Sequence, residues 1–186
     1  PRSHRDRAGQ AVISYDFVAA SMESLDELQT ELMVLPFFAD ERPLTGAAGL
    51  LDWRLCGALS RKLMAGYLSG NFGEKGMLAS PPKLKADALL LVGMGSSAEF
   101  DARVAKNACA LISDTLCQAS ISTAALVLPG RSLDLVPALD AMQLWLATAQ
   151  GESPLEELSI IEKAEEHRAL SALFDGLRRQ AESPLG

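Results

Sequence analysis

The run Ala88-Leu-Leu-Leu-Val92 leaves this chain few ways to fold. A strand apolar at every position has no face to offer water, so it must sit inside a sheet covered on both sides. We read that strand over Ala86 to Val92. It runs into Gly93-Met-Gly95, a tight turn, and then into a helix predicted from about Ser97 to Cys117. Ser96 and Glu99 fit a capping box there, and Phe100, Val104, Ala108, Leu111 and Ile112 recur at helical spacing. Ile121 to Leu128 reads as another buried strand, ended by Pro129-Gly130. Strands of this kind need helices on both faces. The expected class is α/β, a three-layer α/β/α sandwich around a mixed, mostly parallel sheet.

The remaining elements follow the same logic. Val12 to Ala19 alternates as a strand, and Glu31 to Phe38 is a more fully apolar one in which Pro36 marks a strand end or an edge. Thr45 is placed to cap a helix whose Leu51, Leu55, Leu59 and Leu63 form one stripe. A Gly-rich connector, Gly66 to Gly76, leads to a short strand at Met77 to Ala79. Asp134 is placed to cap a helix through Thr148, a last strand spans Leu158 to Ile161, and a final helix spans Ala164 to Arg179. The predicted order is β-β-α-β-β-α-β-α-β-α. At 186 residues this suits one domain, 11–186, with Ala149 to Pro154 as an internal loop. Residues 1–10, polar and basic, read as a disordered tail or an expression remnant.

Charge excludes some functions. The net charge is -7, whereas nucleic acid and anionic membranes reward clustered Lys and Arg. No stretch approaches the roughly 18 apolar residues of a membrane span. Cys56, Cys109 and Cys117 lack metal-ligand spacing and read as reduced thiols, which together with no visible signal peptide gives a cytoplasmic expectation.

Three runs share one resemblance: Glu31-Leu-Met-Val-Leu-Pro-Phe-Phe-Ala-Asp-Glu-Arg-Pro-Leu, Thr45-Gly-Ala-Ala-Gly-Leu-Leu-Asp-Trp-Arg-Leu-Cys-Gly-Ala-Leu-Ser60, and Ala88-Leu-Leu-Leu-Val-Gly-Met-Gly95. In order and spacing they resemble the N-terminal domain of the M17 leucyl aminopeptidases, most closely over residues 31–95. The resemblance implies a macro-domain-like fold. It also implies that the chemistry lies elsewhere, because that family binds two metal ions in a C-terminal domain with the signature Asn-Thr-Asp-Ala-Glu-Gly-Arg. The 186 residues hold no such run, so no catalytic or metal residue carries over and no cofactor is expected. The family's N-terminal domain contributes mainly to hexamer packing, and in some members to DNA contact. The resemblance therefore implies a protein partner or self-association. A small domain ending in a polar tail favours a stand-alone descendant over a fragment of a full enzyme.

Two turns are the candidate ligand site. Gly93, Met94, Gly95, Ser96 and Ser97 lie between a buried strand and a helix, where backbone N–H groups and the helix start favour an anion. The run has the form G-x-G-x-x-A, but no acid ends the next strand, which argues against a nicotinamide cofactor. Gly130, Arg131 and Ser132 form the second turn, where Arg131 is placed to pair with a phosphate. A macro-domain-like ligand would be ADP-ribose or a similar nucleotide. Against this stands the plain reading: Gly for turn geometry and a surface arginine. Asp40-Glu41-Arg42 reads as a solvated turn. Glu165-Glu166-His167 lacks helical metal spacing, and with only His4 and His167 present no triad forms. Trp53 and Trp145 read as core residues, with Trp145 placed for partial exposure at a subunit contact.

Overall fold

The computed structural model describes residues 13–149 and 153–182. Its elements are β1 (Ser14–Ala19), α1 (Met22–Glu27), β2 (Leu32–Phe37), α2 (Gly46–Arg54), α3 (Ala58–Met64), β3 (Lys75–Ala79), β4 (Ala88–Gly93), α4 (Ala102–Gln118), β5 (Thr123–Leu126), α5 (Ala138–Thr148), β6 (Glu157–Glu162) and α6 (His167–Glu182). The strands form one sheet in the order β1-β6-β5-β2-β4-β3. All neighbours are parallel except β3, which runs antiparallel on β4 at one edge. This is the mixed, mostly parallel sheet that the apolar runs demanded. The expected tail at 1–10 lies outside the described residues, as does most of the loop around residue 151.

Alternation along each strand divides the core in two. Leu32, Val34, Leu90, Val92, Ala124, Leu126, Leu158 and Ile160 pack with α4, α5 and α6. Met33, Leu35, Phe37, Leu89, Leu91, Ala125 and Ile161 face the layer of α1, α2 and α3. The central β2 is buried at every position, because each face carries a helical layer. Pro36 is tolerated there since β5 pairs only as far as Val34, so the missing N–H falls beyond the ladder on that side.

Four local expectations need correction. Met22–Glu27 is a helix, capped by Ser21, which accepts from the Ser24 amide; with Leu25 as its only fully buried residue, it is too short to leave a clear periodic signal. The Leu51–Leu63 stripe does not lie on one helix. Cys56 and Gly57 take positive φ (53° and 78°), separating α2 from α3. Ser96 caps nothing: Ser97–Glu99 is a single 3-10 turn, and α4 starts at Ala102 because Asp101 accepts from the Val104 amide. α5 starts at Ala138 rather than after Asp134, whose side chain is instead held in ion pairs.

The tryptophans also exchange their expected roles. Trp145 is fully buried, and Trp53 is 76% exposed. Trp53 stands in the last turn of α2, on the side away from Leu51 and the sheet. Cys109 is buried in α4, where desolvation pushes its thiol up to about 12; Cys56 and Cys117 are exposed.

Candidate functional site

Sheet order brings the two candidate turns to one end of the molecule. β4 and β5 flank β2 and run parallel to it, so the turns after Gly93 and after Leu126 rise on either side of the loop that follows Phe37. That loop fills the space between them. Asp40 reaches one turn and Glu41 the other.

At the first turn, three of the backbone donors an anion would use, the Met94, Gly95 and Ser97 amides, have partners within the chain. The Met94 amide donates to Phe37 O (2.9 Å) and the Gly95 amide to Gly70 O (2.8 Å). The Ser97 amide and hydroxyl donate to the two Asp40 carboxylate oxygens at 2.9 and 2.6 Å. A carboxylate of the chain thus stands where an external anion would sit at the start of this turn. Gly93 serves close packing and Gly95 serves the turn's backbone conformation. A Cβ on Gly93 would lie 2.2 Å from Asn71 O, and Gly95 has φ +80°. Beside this turn lies a cleft of about 220 Å³ that includes Phe72, Gly95, Ser96, Arg103 and Asn107.

The second turn is committed in the same way. Arg131 is 7% exposed. Its Nε donates to Glu162 at 2.5 Å, one Nη to the other Glu162 oxygen at 3.0 Å, and the second Nη to Val136 O at 2.7 Å. Hydrogen bonding to Glu162 holds the guanidinium pKa above its ordinary value against the opposing effect of burial. The Ser132 hydroxyl donates to Glu41 at 3.0 Å. Gly130 lies against Phe100, whose ring would be 2.7 Å from a Cβ.

Glu41 ties these pieces together. Read as a solvated turn residue, it is instead 3% exposed. It accepts from the Phe38 amide (3.0 Å), the Thr45 amide (2.9 Å) and the Ser132 hydroxyl (3.0 Å). The Thr45 hydroxyl lies 2.6 Å from Glu41 and 2.8 Å from Ser132 O, sharing its one proton between them. Thr45 therefore pins the loop and leaves α2 without a side-chain cap. The available signal was position: two acids directly after a buried strand, at the sheet end rich in N–H groups.

Other acid clusters are dispersed. His167 Nε2 lies 3.1 Å from Glu162 O with its ring against Phe17. Among the described residues no group of three His, Cys, Asp or Glu side chains is placed to hold a metal ion, and no helix is long and apolar enough to cross a membrane.

The Asp40 contact has a pH signature. Its hydrogen bonds from Ser97 lower its pKa below the ordinary aspartate value. A carboxylate depressed on folding stabilises above its unfolded pKa, and the effect disappears as pH falls through the folded value. In an NMR titration the Asp40 carboxyl and the Ser97 amide should therefore shift together, with a midpoint below that of a free aspartate. Ser97→Ala should raise that midpoint. Independent titration of the two signals is the contrary result.

Comparison with known proteins agrees with this architecture. The model of the cytosol aminopeptidase family N-terminal domain matches residues 34–150. The cytosol aminopeptidase of Pseudomonas aeruginosa is 34% identical over 103 residues, which is 55% of this chain and 21% of that protein. The chain thus spans only a small part of the length of the curated relatives it matches. A tomato leucine aminopeptidase structure superposes with a TM-score of 0.58 at 16% identity, covering 88% of this chain and 35% of the other. The macrodomain of Mycobacterium tuberculosis DarG superposes with a TM-score of 0.62 at 10% identity, covering 82% of this chain and 100% of the other, a likeness of fold alone. With the family model covering more than half of the sequence, and its strands and turns in the expected places, the chain belongs to the cytosol aminopeptidase (M17) family as its macrodomain-like N-terminal domain.

Proposed function

We propose that this is a non-catalytic, cytoplasmic domain that works by protein contact, either with a partner or in oligomer assembly. The observation that carries the reading is the filled space between the turns. Asp40 and Glu41 occupy, with the chain's own charge, the place where an anionic ligand would be held. The same reading extends to a chain that forms the N-terminal part of a metal-dependent leucyl aminopeptidase, where the catalytic half would supply the reaction. Sedimentation of the purified 186-residue chain over a range of concentrations, beside an assay on a leucyl chromogenic substrate with added divalent metal, tests it. Reversible mass increase, or a monomer that cleaves nothing, supports the reading. Metal-dependent release of leucine by this chain alone overturns it.

A second reading, a module for ADP-ribose or a related nucleotide, draws support from the macrodomain likeness and from the cleft beside Gly95. Calorimetry against ADP-ribose, with phosphate and AMP as controls, distinguishes it. Gly95→Ala is a useful companion. Its new Cβ meets only Phe72, at 3.6 Å or more, so the cost is that of positive φ, about 1–2 kcal/mol. The variant should stay folded, and unchanged nucleotide heat would place any binding elsewhere.

A further inference from the structure

Strand β3 ends the sheet on one side, and its antiparallel ladder with β4 fixes which groups it leaves open. The Gly93 amide donates to Glu74 O (2.8 Å) and the Ser80 amide to Asp87 O (3.1 Å). The hydrogen-bonded pairs therefore alternate through Gly76–Leu91 and Leu78–Leu89. Lys75, Met77 and Ala79 turn their N–H and C=O groups away from the sheet. Among the described residues only one of these outward groups has a partner: Met77 O accepts from the Tyr67 hydroxyl at 3.1 Å.

Edge strands are commonly guarded by a proline, a bulge or a charge at the edge. β3 has no proline and pairs with β4 without a break. Its one charge is drawn aside, since the Lys75 ammonium donates to the Thr115 hydroxyl of α4 at 3.3 Å. Apolar side chains gather here as well. Met77 is 55% exposed, and Tyr67 and Phe72 are nearly half exposed. A Cβ on Gly76 would lie 2.7 Å from the Tyr67 ring, which places that ring against β3 itself, and Phe72 borders Gly95 just past β4.

Symmetry names the occupant. Lys75, Met77 and Ala79 are evenly spaced about Met77. A second copy turned about a twofold axis at Met77 runs antiparallel and meets every outward group. Met77 then faces Met77 of the second copy, an adaptable apolar pair. Lys75 faces Ala79 of the second copy, so no like charges stand opposite.

Resting on the reading of protein contact, we propose that β3 is an assembly edge at which two copies of this chain join antiparallel about Met77 into one continuous sheet. The Tyr67 hydroxyl is its latch. It holds the acceptor that the Met77 amide of the second copy needs, and leaves it as the copies pair.

The test is amide hydrogen exchange followed by NMR on the intact chain, dilute and concentrated, with sedimentation of the same samples. The Gly76 and Leu78 amides, bonded to β4, should be protected in both. The Lys75, Met77 and Ala79 amides should exchange freely when dilute and about tenfold or more slowly when concentrated. Met77→Lys, at an exposed position, sets like charges on the axis and should weaken the dimer by about tenfold. Tyr67→Phe frees the Met77 carbonyl and should tighten it by about threefold. A mass increase that leaves the three outward amides unprotected overturns the proposal, as does a dimer weakened by Tyr67→Phe. A monomer at every concentration overturns it too, while a contact with another protein would still stand. Metal-dependent release of leucine by this chain alone would instead sink the broader reading.

Discussion

Glu41→Ala is expected to lower stability by about 3–4 kcal/mol, from one side chain in a loop. The carboxylate is 3% exposed and faces donors on every side. Its loss leaves the Phe38 and Thr45 amides and the Ser132 hydroxyl without their acceptor. An unsatisfied buried donor costs about 1–3 kcal/mol, and partial entry of water keeps the sum below the upper bound. For a domain of this size the unfolding midpoint should fall by about 10 °C. Glu41→Gln is the sharper variant. A carboxamide keeps one oxygen and turns an NH₂ toward groups that themselves donate, so nearly the same loss is expected despite the conserved shape. A Gln variant that melts with the parent protein would show that Glu41 does not act as an acceptor-only staple.

The same residue shows where sequence reading stops. The layered fold was legible because its evidence is local and redundant. β2 and β4 are apolar throughout, β5 is apolar after Thr123, and strands of that kind have one environment available to them. Helix α4 was legible from its stripe, but its start was not. Ser96 and Asp101 are both capping residue types, and the choice is made by Asp40, which engages Ser97 from another loop. The break after α2 was hidden for a related reason. Leu51, Leu55, Leu59 and Leu63 keep helical spacing, while the backbone at Cys56 and Gly57 turns left-handed. Trp53 was read as core because its neighbours are apolar, yet apolar neighbours do not fix which side of a short helix meets the sheet. The two candidate turns do share one end of the sheet, as a parallel arrangement requires. What the sequence did not carry is that residues distant from those turns supply their hydrogen-bond partners: Gly70 and Asp40 at the first, Glu41 and Glu162 at the second.

Arg131 and Glu162 extend the point to energetics. Their side chains are 5% and 4% exposed, and they join the turn after β5 to the end of β6. Removing one partner strands the other charge in a place water barely reaches. Arg131→Met and Glu162→Leu are each expected to cost about 3–5 kcal/mol. The Glu162 carboxylate also accepts from the Lys163 amide at 2.8 Å, and Arg131 also reaches Asp134 at 3.2 Å, so neither charge is wholly abandoned in the single variants. The double variant, with two apolar side chains in contact, should be more stable than either single one, because no uncompensated charge remains. A cycle of urea unfolding measurements should therefore show a large favourable coupling between the two replacements. The coupling should persist at about 1 M salt, since a buried pair is screened far less than a surface one. Additive losses would mean that water hydrates each group in turn and that the pair is worth no more than a surface contact. A double variant close to wild-type stability would carry a further consequence: the pair then serves to fix the turn's conformation rather than to stabilise the fold, and the Ser132–Glu41 contact beside it should loosen even though the protein stays folded.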